Sequence, residues 1–158
     1  MDLLGTMLAV GGAAMAAGWG AAGSAIGVGI AGEAGAGVMT EDPGKFGLIL
    51  PLQALPGTQG IYGLLVAFFA ILKVGLLGGD PVTVSVAQGF GIFCACLPAA
   101  IGEYFSGIAQ GKTSAASIQM IAKRPEEMGK AIILPAMVET YAVLSLLMSI
   151  ILLNGIKV

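Results

Sequence analysis

The sequence predicts an all-α integral membrane protein with four transmembrane helices. Of its 158 residues, 57% are hydrophobic and only 10% are charged, and the mean hydropathy is +0.96. Soluble globular proteins normally have about 25% charged residues, so lipid is the expected solvent. The charged residues also leave four long gaps with at most one charge inside each. Every gap meets the roughly 20 residues that are needed to cross the hydrocarbon core.

Each gap corresponds to one predicted helix. Helix one covers residues 4–40, helix two 45–77, helix three 82–122 and helix four 127–155. The breaks between them each place a proline beside polar residues, which is typical of turns. They are Thr40–Gly44, Gly78–Pro81 and Lys123–Glu126. Helices one and three exceed one span and should project into water.

Helix one is unusually rich in glycine. Glycine lowers helix propensity in water, but in lipid small residues let helix backbones approach closely. The glycines are Gly18, Gly20, Gly23, Gly27, Gly29, Gly32, Gly35 and Gly37. We expect this surface to pack against identical helices of neighbouring copies, and packing within the chain is the alternative.

The sequence also resembles itself when shifted by 82 residues. The shift aligns Ser24 with Ser106, Pro43 with Pro125, Leu52 with Leu134 and Thr58 with Thr140. This pattern predicts two tandem copies of a helical hairpin, residues 1–81 and 82–158. Glu139 aligns with Gly57, so only the second hairpin carries that carboxylate.

The basic residues predict the orientation in the membrane. They cluster near the first and third connections as Lys45, Lys112, Lys123, Arg124 and Lys130, against Lys73 and Lys157 on the other side. The positive-inside rule then places the loops near 40–45 and 123–127 in the cytoplasm and both termini outside. With a net charge of -2 and no long basic run, nucleic acid is not an expected partner.

Glu139 is the main candidate for function, because it is the one charged residue between Lys130 and Lys157. An ionisable group inside hydrocarbon costs about 2.5 to 3.5 kcal/mol, and such residues usually mark ion or substrate pathways. Glu139 lies 14 residues after Pro125, which is about 20 Å along a helix.

Three more polar side chains are expected at nearly the same depth. Thr58 and Gln59 lie 15 and 16 residues after Pro43, and Gln110 lies 15 residues before Pro125. On helix two, Thr58 and Gln59 share one face with two further residues, Leu55 and Tyr62. Interhelical hydrogen bonding is the structural alternative for these polar residues.

Two prolines add backbone oxygens to this set. Pro56 in helix two and Pro135 in helix four should each distort a turn and leave nearby carbonyl groups available. Backbone oxygen, a hydroxyl, two amides and a carboxylate form a hard-oxygen set that suits an alkali cation. A proton would need only the carboxylate and a dry pocket.

Three motifs in this region resemble the K subunit, or proteolipid, of bacterial V-type sodium ATPases. They are Leu55–Gly60 (LPGTQG), Phe105–Lys112 (FSGIAQGK) and Met137–Tyr141 (MVETY). The resemblance covers nearly the whole chain. It implies a ring of identical copies that is turned by a soluble ATPase head through a central stalk and slides against a membrane stator with an essential arginine.

The resemblance also implies roles for individual residues. Glu139 would be the ion-binding carboxylate, and Tyr62 would donate a hydrogen bond to it. The rest of the Na⁺ shell would be the Leu55 carbonyl, the Thr58 hydroxyl and the side chains of Gln59 and Gln110. The chain would have no catalytic site of its own. It contains no phosphate-binding glycine loop, so another chain must handle ATP.

Two acidic residues depart from the family pattern. Glu103 lies seven residues before Gln110 on roughly the same face. It is either an accessory residue on the ion path or, as we prefer, a residue that faces the ring lumen or a neighbouring headgroup. Glu33 is expected to be structural, pairing with a lysine such as Lys112, or to contact the stalk.

Three other functions remain open at this point. A ring could carry H⁺ instead of Na⁺, although a proton site has no use for so many oxygens. A small multidrug exporter also has four helices and one membrane glutamate, but its glutamate lies early in the chain. In a purely structural or pore-forming proteolipid, the polar residues would only hold helices together.

Overall fold

The computed structural model describes residues 3–79 and 82–158. Its five α-helices are α1 (Leu3–Glu41), α2 (Phe46–Ala54), α3 (Thr58–Lys73), α4 (Val86–Lys123) and α5 (Met128–Gly155). Short 3₁₀ turns at Pro43–Lys45, Leu55–Gly57 and Pro125–Glu127 precede α2, α3 and α5. Asp80 and Pro81, where the first predicted hairpin ends, lie outside the described residues.

The all-helical prediction is confirmed. Four helical segments are long and apolar enough to cross a membrane: Leu3–Glu41, Pro43–Lys73, Val86–Lys123 and Pro125–Gly155. The first and third are the longest, at 39 and 38 residues, so both exceed one span. Large apolar side chains are exposed along α3 and α5, as expected for surfaces that meet lipid or other membrane helices.

Two predicted boundaries are wrong by four residues each. Helix two ends at Lys73 rather than residue 77, because the chain turns at Gly75, whose φ of 75° is a conformation that favours glycine. Helix three begins at Val86 rather than residue 82. Its start is fixed by a capping box in which the Ser85 hydroxyl accepts from the Gln88 N–H and Gln88 bonds back to Ser85.

The parallel helices α1 and α4 form the centre of the fold and touch through glycine. A methyl group at Gly27 would overlap the backbone of Gly107, and one at Gly111 would overlap the backbone of Gly27. Gly5 and Gly89 make the same close approach near the other end. Small residues therefore bring the two backbones into direct contact. The helix α3 packs mainly on α1, and α5 packs mainly on α4.

The expectation that the glycines of helix one all face neighbouring copies is wrong. Five of them have partners inside the chain, namely Gly20, Gly23, Gly27, Gly32 and Gly35. A methyl group at Gly18, Gly29 or Gly37 would meet no atom of the chain within 4 Å. Packing between copies stays a prediction for these three.

Two apolar clusters lie on either side of the predicted polar residues. One contains Ala13, Val66 and Ile92 near the chain termini. The other contains Leu52 and Ile118 near the first and third connections. Five of the buried polar residues lie between the two clusters, namely Ser24, Gln59, Glu103, Ser106 and Gln110, so apolar side chains flank the candidate site on both sides.

Candidate ion-binding site

The break between α2 and α3 places the first oxygen ligands. Pro56 has no N–H and cannot continue the α-helical ladder, and a 3₁₀ turn replaces it at Leu55–Gly57. The Thr58 hydroxyl donates to the Leu55 carbonyl at 3.0 Å. On the other side, the Gly60 N–H donates to the Ser24 hydroxyl of α1 at 2.7 Å. The break is thus held in place from within α3 and from α1.

Two fully buried glutamines connect this break to α4. Gln59 Nε2 donates to Gln110 Oε1 at 2.6 Å and to the Ser106 hydroxyl at 3.3 Å. Gln59 Oε1 lies 3.4 Å from the Thr58 hydroxyl. Both amides are completely shielded from solvent. A buried polar group without a hydrogen-bond partner is costly, so these contacts hold the two side chains in place.

Glu139 on α5 completes the arrangement. Its Oε1 accepts from the Tyr62 hydroxyl at 2.8 Å, and its Oε2 accepts from Gln110 Nε2 at 3.3 Å. Gln110 Nε2 also donates to the Pro135 carbonyl at 3.1 Å. Glu139 is half-buried, so its carboxylate lies at the edge of the helix bundle.

The predicted residues therefore form one continuous polar array. It runs from the Leu55 carbonyl through Thr58, Gln59, Gln110 and Glu139 to the Tyr62 hydroxyl. Its members supply oxygen, the donor that hard cations such as Na⁺ prefer. In chemical terms, the array can neutralise and coordinate one small cation at a single carboxylate.

Two serines at the site were missed by reasoning from the sequence. Ser24 supports the break before α3, and Ser106 contacts Gln59 and lies 3.4 Å from the Val138 carbonyl. The repeat already aligned Ser24 with Ser106, which was the available signal. Ser24 lies on α1, whose glycines are interpreted in the sequence only as packing surfaces, and Ser106 lies on α4.

Pro135 behaves differently from the prediction. The helix α5 continues without interruption through Pro135, whereas helix two is broken at Pro56. The expectation of a matching distortion in helix four is therefore wrong. The Pro135 carbonyl is nevertheless used at the site, because it accepts from Gln110.

The structure tests the expectations for the two additional acidic residues in part, and the expected contact of Glu33 with the stalk stays a prediction. Glu103 is completely buried and lies beside Ser145 of α5, so our preferred position for it at a lumen or headgroup is wrong. Glu33 is exposed and forms no ion pair with Lys112. Among the described residues the ion pairs are Lys45–Asp42 and Lys130–Glu127.

Comparison with known proteins gives a consistent result. A sequence profile of the ATP synthase C subunit matches residues 4–70 and 93–152. The V-type sodium ATPase subunit K of Enterococcus hirae is 52% identical, over 82% of this chain and 80% of that protein. The A-type ATP synthase subunit K of Methanocaldococcus jannaschii is 37% identical, over 92% of this chain and 96% of that protein.

Proposed function

Because the chain belongs to the family of ATP synthase C subunits, we propose that it is the rotor-ring subunit of a V-type ATPase that moves Na⁺ across the membrane. The chain supplies the ion site and no catalytic site, so ATP is hydrolysed by other subunits. The observation that carries the proposal is the oxygen-rich array around Glu139. Membership of this family argues against the alternative that the chain is a small multidrug exporter.

The proposed ligands of Na⁺ are the Leu55 carbonyl, the Thr58 hydroxyl, the Gln59 and Gln110 side chains, and Glu139. Tyr62 donates to Glu139 and fixes its orientation. A bound cation neutralises the carboxylate, which can then face lipid. Without the cation, the charge is stable only opposite a stator arginine or next to water. Rotation of the ring carries the ion between these environments.

Sodium is favoured over a proton by the extra oxygens. A proton requires only the Glu139 carboxylate. Thr58, Gln59 and Gln110 belong to the same array, and their oxygens are useful to Na⁺ but not to a proton. The name of the Enterococcus hirae relative specifies sodium. The proton-carrying ring remains the second candidate, because a proton needs only the Glu139 carboxylate.

The loops near 40–45 and 123–127 are the proposed cytoplasmic surface that meets the central stalk. The Lys45 ammonium group donates to the Ala122 carbonyl at the end of α4 and pairs with Asp42, so the two connections lie side by side. Both termini are then outside.

The two profile matches, one within each predicted hairpin, support the proposed duplication.

The decisive experiment is to measure carbodiimide modification of Glu139 in the purified ring as a function of Na⁺ and pH. Carbodiimides react with protonated carboxyl groups, so a bound cation should block the reaction. We expect Na⁺ at fixed pH to slow the modification in a saturable manner. Modification that depends on pH but not on Na⁺ would support the proton ring, and labelling insensitive to both would support a structural proteolipid.

Replacement of Thr58 by valine should weaken Na⁺ binding by about ten- to a hundredfold. The change keeps the shape of the side chain but removes one oxygen from the array, and interactions with a charged group are typically worth about 1.5 to 3 kcal/mol. The affinity can be read from the Na⁺ concentration that halves the carbodiimide rate.

The matched control for this substitution is Thr140→Val. Thr140 is the residue that the repeat aligns with Thr58, and its hydroxyl likewise bonds a carbonyl three residues earlier, but it is exposed. The control should keep wild-type affinity. Equal affinity in both variants would remove the Thr58 hydroxyl from the proposed shell.

A further inference from the structure

Glu103 is a buried carboxyl group that the ion site does not use. It lies seven residues before Gln110 on α4, about 10 Å along the helix axis. Its exposed fraction is 0%. The backbone at Glu103 packs against Gly23 of α1, and the adjacent Gly102 packs directly against Ser145 of α5. The carboxyl group is therefore enclosed between helices.

The hydrogen bonds around Ser145 indicate which group carries the proton. The Ser145 oxygen lies 2.9 Å from the Ala142 carbonyl, 3.1 Å from the Tyr141 carbonyl and 3.3 Å from Glu103 Oε1. A serine hydroxyl has one proton, and the nearer carbonyl groups can only accept. The two carbonyl groups of α5 are nearer acceptors than Glu103, and when the Ser145 proton goes to one of them, the Ser145 oxygen presents a lone pair to Glu103. A hydrogen bond between the two then requires Glu103 to be the donor.

The charges near Glu103 lead to the same conclusion. The nearest basic residue on its own helix is Lys112, nine residues away. The helix α1, which packs against Glu103, has no titratable side chain between residues 3 and 32. Within the described residues, Glu103 Oε2 has no hydrogen-bond partner. An ionised Glu103 would thus have no compensating charge, and burial of an unpaired charge is far more costly than burial of a neutral acid.

We propose that Glu103 is a proton-binding site, separate from the cation site, in which a neutral carboxylic acid donates its hydrogen bond to the Ser145 hydroxyl. Each chain then binds two different ligands within the membrane, a proton at Glu103 and a cation at Glu139. Cation binding at Glu139 rests on the proposed function, whereas proton binding at Glu103 does not. Because Glu103 is neutral, the two sites of each chain together have one negative charge, at Glu139, when the ion site is empty, and not two.

The test is infrared spectroscopy of the intact purified ring near neutral pH and at saturating Na⁺. A carboxylic acid has a carbonyl stretching band that a carboxylate lacks. Glu139 is a carboxylate when Na⁺ is bound, so the wild-type ring should keep one acid band, from Glu103. This band should disappear in Glu103→Gln, and in Ser145→Ala it should shift because the acceptor has been removed.

Each outcome distinguishes the two proposals. Absence of an acid band in the sodium-saturated wild-type ring would overturn the Glu103 proposal, even if the Glu103→Gln ring could not be assembled. Persistence of the band in Glu103→Gln would also overturn it. Removal of Na⁺ at low pH should add a second acid band that is missing in Glu139→Gln. Failure of that second band would count against the proposed cation site while leaving Glu103 unaffected.

Discussion

Replacing Glu139 by glutamine is expected to abolish Na⁺ transport completely while the ring still assembles. Glutamine keeps the size of the side chain and can still pair with Tyr62 and Gln110, so packing is preserved. It removes the only carboxylate of the array and with it the charge that neutralises the ion. In the proposed repeat, Gly57 stands at the position equivalent to Glu139, so the first hairpin would offer no second carboxylate to compensate.

The measurement is uptake of radioactive sodium by vesicles that contain the reconstituted complex, together with Na⁺ binding to isolated rings. Glu33→Gln is the control for binding, because Glu33 is a glutamate of α1 that is exposed and does not belong to the array. It should bind Na⁺ normally. Sodium uptake by Glu139→Gln above that of vesicles without the complex would exclude Glu139 as the carrier.

Replacing Gly27 by alanine should prevent normal packing of the chain and disturb the ion site at the same time. The added methyl group would overlap the Gly107 backbone and approach the ring of Pro56. Backbone atoms cannot move aside as a flexible side chain can, so α1 and α4 must separate. Overpacking typically costs about 1 to 3 kcal/mol, and here it also displaces the break that positions Thr58.

Gly47→Ala is the matched control, because a methyl group there would meet no atom within 4 Å. Both substitutions raise helix propensity by about 1 kcal/mol, so the difference between them isolates the close contact. We expect Gly27→Ala to give little assembled ring on size-exclusion chromatography and Gly47→Ala to give normal amounts. Equal amounts of ring from both variants would contradict the direct backbone contact.

The depth of the site could be predicted from the sequence, because proline turns give each membrane helix a reference point. Thr58, Gln59, Gln110 and Glu139 were placed at one level by counting residues from those turns, and the structure joins all four. Counting succeeds because a helix rises by a constant amount per residue.

The environment of Glu103 could not be predicted in the same way. Spacing shows that Glu103 and Gln110 share a face of α4, but it does not show which residue of α5 lies opposite. That register depends on contacts such as Gly102 against Ser145. The glycines of helix one pose the same difficulty, since spacing does not tell whether Gly27 or Gly29 meets α4.

The end of helix two was predicted wrongly for a local reason. Leu76 and Leu77 continue the apolar run, so hydropathy alone extends the helix past Lys73. The backbone at Gly75 leaves the helical region instead. Apolar composition shows where the membrane is, whereas individual glycines decide where a helix stops.

The glycine contacts between α1 and α4 have a mechanical consequence. Where two backbones touch, no flexible side chain lies between them, and tightly packed interiors have low compressibility. We therefore expect α1 and α4 to be the stiff part of each copy. By contrast, α3 and α5 are joined at the site through side chains, chiefly the bond from Tyr62 to Glu139. Side-chain rotation is fast and local. We therefore expect ion exchange to move side chains between α3 and α5, while α1 and α4 transmit the torque of the ring.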